Sequence, residues 1–152
     1  MCPRALNHYN LSSEGKQKAF TLAAKEGVSI HYEVGNFLDA TLNGNEYDLA
    51  ALIFAHFPFE FIHLFHRKVA GAIKRGGIVI IEAFHAEHVS FQNENPQAGG
   101  PKDERMLFTR KTIERDFAGF STITLEELEV DLREGQFHNG RSKVLRYIGR
   151  KS

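Results

Sequence analysis

The feature that most constrains this chain is the run Leu49–Phe54, six consecutive apolar residues rich in strand formers. A strand with one face in water alternates apolar and polar residues. An unbroken run is expected to be covered on both faces, as in a parallel sheet. Pro58 then opens a helical stretch with Phe61, Ile62, Phe65, Val69 and Ile73 on one face, and Gly76 and Gly77 are its expected stop. Ile78–Ile81 follows as a second buried strand and ends on Glu82. Strand, helix and strand in that order predict an α/β fold.

The flanks extend the pattern. Ala5–Tyr9 reads as a short strand. Next comes a helix capped by Ser12 or Ser13 and closed by Gly27, with Ala19, Leu22 and Ala23 as a thin apolar stripe. Val28–Val34 alternates as a strand should. The stretch from His88 to Asp103 holds Asn93, Asn95, Pro96, Gly99, Gly100 and Pro101, and is expected to be one long surface loop. Thr109 or Thr112 caps a helix through Phe117. Two strands, about Thr122–Leu132 and Ser142–Gly149, then form an antiparallel hairpin turning on Gly135, Asn139 and Gly140. The expected architecture is therefore a single α/β domain, mostly parallel, with a C-terminal antiparallel hairpin.

Composition narrows the functional classes. Lys and Arg number 19, as do Asp and Glu, so the formal net charge of zero argues against a mainly electrostatic nucleic-acid binder. The single cysteine, Cys2, cannot close an internal disulfide, which fits a reducing, cytoplasmic setting. No apolar run approaches the roughly 18 residues of a membrane span, and the N-terminus lacks the apolar middle of a secretion signal.

In open parallel sheets, ligands sit beyond the carboxyl ends of the strands. That rule gathers Phe54, Ala55, His56, Glu82, Ala83 and Phe84 around one pocket. The hairpin adds Glu134, His138 and Arg141 at a turn, where a solvated tip is the plainer reading. His63/His66 and His85/His88 are each three apart. A third metal ligand is unspecified and the HExxH pattern is absent, so no metal is expected and His63 and His66 are read as decorating a solvated helix face. A GxSxG elbow and a GxxxxGK[ST] phosphate loop are both missing from the sequence.

Taken together, LSSEGKQKAFTLAAKEGVSIHY, EYDLAALIFAHFP, KRGGIVIIEAF, the GGPKDE loop and EGQFHNGRSKVLRYIGRK resemble the class I S-adenosylmethionine-dependent methyltransferases. They are most similar to the small bacterial, tellurite-resistance-type branch. The resemblance implies a Rossmann-like sheet and S-adenosylmethionine as cofactor. It also implies a small-molecule methyl acceptor. Asn10 falls where the family holds the donor ribose with an acid, and Asn36 and Phe37 fall at the adenine contact. Phe54 and Ala55 would border the sulfonium. Phe57, Phe84, Gly99, Gly100, Pro101 and Arg141 would line the substrate side. His56, His138 and Glu82 are the catalytic candidates, since an imidazole titrates near neutrality and can take a proton.

The family's first strand and glycine-rich donor loop have no counterpart in MCPRALNHYN, so the domain is expected to be N-terminally incomplete and weak in donor binding. Loss of a central strand would leave an apolar sheet edge. A homodimer, formed for example by exchanging the N-terminal strand–helix–strand, is expected to cover it. Two rival readings are a non-catalytic assembly module and, less favoured, a metal-dependent hydrolase using Glu82, His85 and His88.

Overall fold

The computed structural model describes residues 6–135 and 137–152. Cys2, and Ala5 at the start of the expected first strand, lie outside the described residues. The chain divides into two units, one ending at Thr41 and the other running from Leu42 to Ser152. No helix among the described residues is long and apolar enough to cross a membrane.

The first unit is β1 (Leu6–Asn10), α1 (Ser13–Lys25) and β2 (Ile30–Val34), with the two strands parallel and Leu6 beside Ile30. Parallel neighbours need a crossover, and α1 supplies it. Ser12 caps α1, its hydroxyl accepting the Gly15 N–H at 2.8 Å, and Glu14 sits in the first turn, where the helix dipole favours an acid. A helix on two strands has little to cover. Among the described residues of this unit only Ala23 and Tyr32 are buried, and Leu22 of the expected apolar stripe is exposed.

The second unit holds β3 (Tyr47–Ile53), α2 (Phe59–Ala72), β4 (Ile73–Phe84), α3 (His88–Glu94), α4 (Arg110–Asp116), β5 (Phe120–Arg133) and β6 (Asn139–Lys151). Its sheet runs β3-β4-β6-β5. β3 and β4 are parallel, while β6 is antiparallel to both β4 and β5. Leu52 of β3, Val79, Ile81 and Ala83 of β4 and Leu145 and Tyr147 of β6 point to the face where Ile62, Phe65, Val69, Ile113 and Phe117 are buried. Near the carboxyl ends of β3 and β4, a second cluster of Phe84, Leu107, Leu132 and Val144 packs with Phe54, Val89, Leu128 and Val130.

Four expectations need correction. Leu49–Phe54 is not covered on both faces: Leu49 is 51% and Ile53 53% exposed, because β3 pairs with β4 alone among the described strands and its odd positions face a bare side of the sheet. That bare side forms a groove of about 210 Å³ lined by Ile53, Ile80, Glu82, Thr124, Arg146 and Ile148, among others. α2 stops at Ala72 rather than at the glycines, and Ile73, Gly76 and Gly77 already belong to β4. Lys151 explains the early stop, since its Nζ donates to the carbonyls of Ala70 (2.9 Å) and Ile73 (2.7 Å) at the negative end of the helix. The stretch from His88 is not one irregular loop, because its first seven residues form α3 with His88 and Gln92 buried one turn apart. His66 does not decorate a solvated face: it has no exposed surface. Its Nδ1–H donates to Asp116 at 2.7 Å, which joins α2 to α4.

Candidate functional site

At the carboxyl end of β3 the backbone bends sharply. Phe54 has φ 49°, a left-handed conformation that costs an L-residue about 1–2 kcal/mol. Its N–H still donates to the Glu82 carbonyl at 2.7 Å, and its own carbonyl accepts the His56 N–H at 3.1 Å. The bend brings the Phe54 ring to 4.7 Å from Phe84 and 4.7 Å from His138, centroid to centroid. Backbone strain of this kind gathers at functional sites.

Phe84, the last residue of β4, is the hub. Three imidazoles surround it: His88 stacked at 4.1 Å, His56 stacked at 5.7 Å and His138 edge-on at 5.2 Å. Two of the three are saturated by backbone. His56 donates Nδ1–H to the Met106 carbonyl at 2.9 Å and accepts the Phe84 N–H on Nε2 at 3.3 Å. His88 donates Nε2–H to the Gly99 carbonyl at 3.1 Å and accepts the Lys143 N–H on Nδ1 at 3.2 Å. Both rings are thereby fixed as neutral tautomers. Burial, helped by the neighbouring histidines, lowers His56 to about 4 against the Met106 hydrogen bond. Burial lowers His88 as well, opposed by its bond to Gly99.

His138 differs. Its Nδ1 meets Glu134 Oε2 at 3.3 Å, and among the described residues nothing bonds its Nε2. The glycines hold its position. Gly99, at φ 74°, passes so close to the hairpin that a Cβ on it would overlap the Phe137 carbonyl and crowd the His138 ring, while a Cβ on Gly100, at φ 90°, would crowd Phe84, Gln92 and His88. Only glycine combines that φ with that approach. Gln92 fastens the loop from the other side, its Nε2 donating to the carbonyls of Gly99 (2.6 Å) and Pro101 (3.1 Å). Asn95 Nδ2 donates to the Asn139 carbonyl at 2.9 Å and joins the loop to β6.

Of the sequence candidates, His56, Phe54, Phe84, Gly99, Gly100, Pro101 and His138 are thus brought together, with Ala55 half-buried beside Phe54. Three others point elsewhere. Glu82 accepts Arg146 Nε and Nη2 at 3.0 and 2.8 Å on the bare side of the sheet. Arg141 donates to Glu129 at 2.7 Å and lies over the Phe91 ring. Phe57 stacks on Phe65 of α2 at 4.0 Å. In the first unit, Asn10 Oδ1 accepts the Ser12 N–H (3.0 Å), Asn36 Oδ1 accepts the Leu38 N–H (3.1 Å) and Phe37 meets Tyr9 edge-on at 5.5 Å. Both amides keep their Nδ2 donors, but neither brings a charge. Sequence reasoning missed His88 as a site member, and Gln92 and Met106 altogether. The four-residue spacing of His88 and Gln92 was the available signal. Among the described residues no group of three or more His, Cys, Asp or Glu side chains is placed to hold a metal ion.

No family model matches the chain, and no curated protein matches it in sequence. Solved structures do match in fold. TehB from Haemophilus influenzae superposes at TM-score 0.73 with 13% identity, over 96% of this chain and 49% of its own. A SAM-dependent methyltransferase from Methanosarcina mazei gives 0.72 and 14%, over 98% of this chain and 82% of its own. One from Clostridium acetobutylicum gives 0.67 and 10%, over 98% and 76%. The chain therefore spans about half the length of TehB. Across these structures the shared feature is the fold, and this chain carries the Rossmann-like α/β fold of the SAM-dependent methyltransferases.

Proposed function

We propose that the chain is a methyltransferase domain that uses S-adenosylmethionine to methylate a small molecule. The observation that carries the reading is His138. On a fold shared with SAM-dependent methyltransferases, it is the one imidazole around Phe84 with a ring nitrogen unbonded among the described residues, and it lies beside the strained end of β3. When bound, the donor supplies an electrophilic methyl group on a sulfonium. The protein's part is alignment, with Phe54 and Phe84 as walls, and proton removal by Nε2 of His138 where the acceptor carries a proton. His56 is fixed by two backbone bonds and serves as a wall rather than as a base.

Donor affinity is weak in this reading. Asn10 and Asn36 have already committed their carbonyl oxygens to backbone N–H groups, which leaves only neutral amide donors for a ribose or an adenine. Calorimetry with S-adenosylmethionine is the test. Saturable binding weaker than about 10 μM, or about 7 kcal/mol, is expected. No saturable heat with either the donor or its demethylated product, from protein that is folded, overturns the reading.

Among the described strands β3 has no partner on its other edge, which favours a second reading, an assembly module without catalysis. Leu49, Ala51 and Ile53 leave an apolar edge without the lysine or proline that blunts such strands, beyond the one register shift between Tyr47 and Leu49, and a homodimer would cover it. Light scattering is the test: a monomer of about 17 kDa that persists at high concentration overturns it.

A further inference from the structure

We propose that Glu134 is a positioning residue that holds His138 in its Nδ1–H tautomer and so directs the Nε2 lone pair into the aromatic site. The proposal rests on the methyltransferase reading for its purpose, but not for its test.

The argument begins with the hairpin. Glu134 N–H donates to the His138 carbonyl at 2.8 Å, closing the turn, so the two residues are fixed to each other through the backbone before their side chains meet. Glu134 Oε2 then stands 3.3 Å from His138 Nδ1. An ionised carboxylate has no proton to give, so the bond exists only when Nδ1 carries the hydrogen. A neutral ring then has its lone pair on Nε2. Cδ2, on the other flank of the ring, lies beside Gly99, and the ring makes T-shaped contacts with Phe54 at 4.7 Å and Phe84 at 5.2 Å.

Comparison within the cluster makes the assignment selective. His56 and His88 each have one nitrogen donating to a carbonyl and the other accepting a backbone N–H, so their tautomers are fixed with no lone pair to spare. His138 alone is oriented by a side chain. A carboxylate partner also stabilises the imidazolium formed when the ring accepts a proton, whereas a backbone carbonyl does so less. In use, the bond between acceptor and hydrogen breaks, its electron pair stays on the acceptor, and the proton goes to Nε2. Such a base serves an acceptor that enters with its proton, a hydroxyl, amine or thiol, rather than one that enters as an anion.

The tautomer is directly readable by long-range ¹H–¹⁵N correlation on the uniformly labelled full chain, with His138→Gln assigning the resonance. The expected spectrum shows Nδ1–H for neutral His138 in the wild type. In Glu134→Ala the Nδ1–H fraction falls about threefold, within the range of a partly exposed pair. Glu134→Gln keeps an acceptor oxygen and therefore keeps the tautomer. A wild-type ring with hydrogen on Nε2, or a Glu134→Ala spectrum with the wild-type tautomer, overturns the proposal. Neither measurement needs donor or acceptor, so a failed calorimetric titration would refute the methyltransferase reading and leave this one standing or falling on its own.

Discussion

His66 donates its Nδ1–H to Asp116 across 2.7 Å from a position on α2 with no exposed surface, while His63, one turn earlier, meets the same carboxylate at 2.9 Å. Burial alone would raise Asp116. The hydrogen bonds from His66, His63 and Arg115 outweigh it and hold the carboxyl at about 2. The other nitrogen of His66 has no partner and lies among the rings of Phe65, Phe108 and Phe117, so all of the residue's polar satisfaction depends on Asp116. Asp116→Ala is therefore expected to destabilise the second unit by about 2–3 kcal/mol, the cost of a buried donor left unmade. Asp116→Asn, which keeps one acceptor oxygen, should lose less. Urea unfolding of both variants checks the order, and equal losses would contradict it.

Stability should also depend on pH through His56. Its folded value of about 4 lies below the unfolded value of roughly 6.5, so the unfolded chain binds more protons between those limits. The stability contributed by the neutral, doubly bonded ring is present above about 6.5 and is lost as pH falls towards 4, on the order of 3 kcal/mol in all. In His56→Gln, denaturant midpoints measured from pH 7 to 4 should flatten over that window. An unchanged slope would show that another group is responsible.

Gly99→Ala is expected to cost more than Gly27→Ala. Both glycines have positive φ, 74° and 64°, so both substitutions carry the roughly 1 kcal/mol penalty of a left-handed L-residue. Gly27 has open space around it, whereas a Cβ on Gly99 meets the Phe137 carbonyl. Thermal unfolding of the pair isolates the steric part of the cost.

Lys151→Met should shorten or loosen the end of α2. The substitution keeps the aliphatic stem and removes the donor to Ala70, Ile73 and Asn45. About 1 kcal/mol is expected, with amide hydrogen exchange accelerated in the last turn of α2 more than in its first.

Much of the fold was legible because its cues are local. The Leu49–Phe54 run, the Ser12 and Thr109 caps and the hairpin glycines each specify a strand, a helix start or a turn from neighbouring residues alone. What escaped depends on partners distant in sequence. Nothing near Ala72 announces the end of α2, because the group that satisfies its carbonyls is Lys151, 78 residues beyond Ile73. His66 reads as a surface residue until Asp116 is brought to it, 50 residues away. In the site, Phe54, His56, Phe84 and His138 were legible from strand ends and from the resemblance. Glu82 and Arg141 pointed elsewhere because Arg146 and Glu129, across the strands, engage their charges.

The clasp between Gly99 and the hairpin has a practical consequence for handling the protein. Glycine-rich hairpin tips are the usual choice for inserting a tag, a label or new chain termini, since they tolerate extra residues. Here the segment from Phe137 to Asn139 is the wall against which Gly99 and Asn95 are seated. Lengthening it would unseat the loop from Gly99 to Pro101 and release the Gln92 and His88 donors that converge there. The turn around Asn45 joins no two parts of the cluster, but an insertion there would instead disturb the end of α2, to which its backbone and Lys151 tie it.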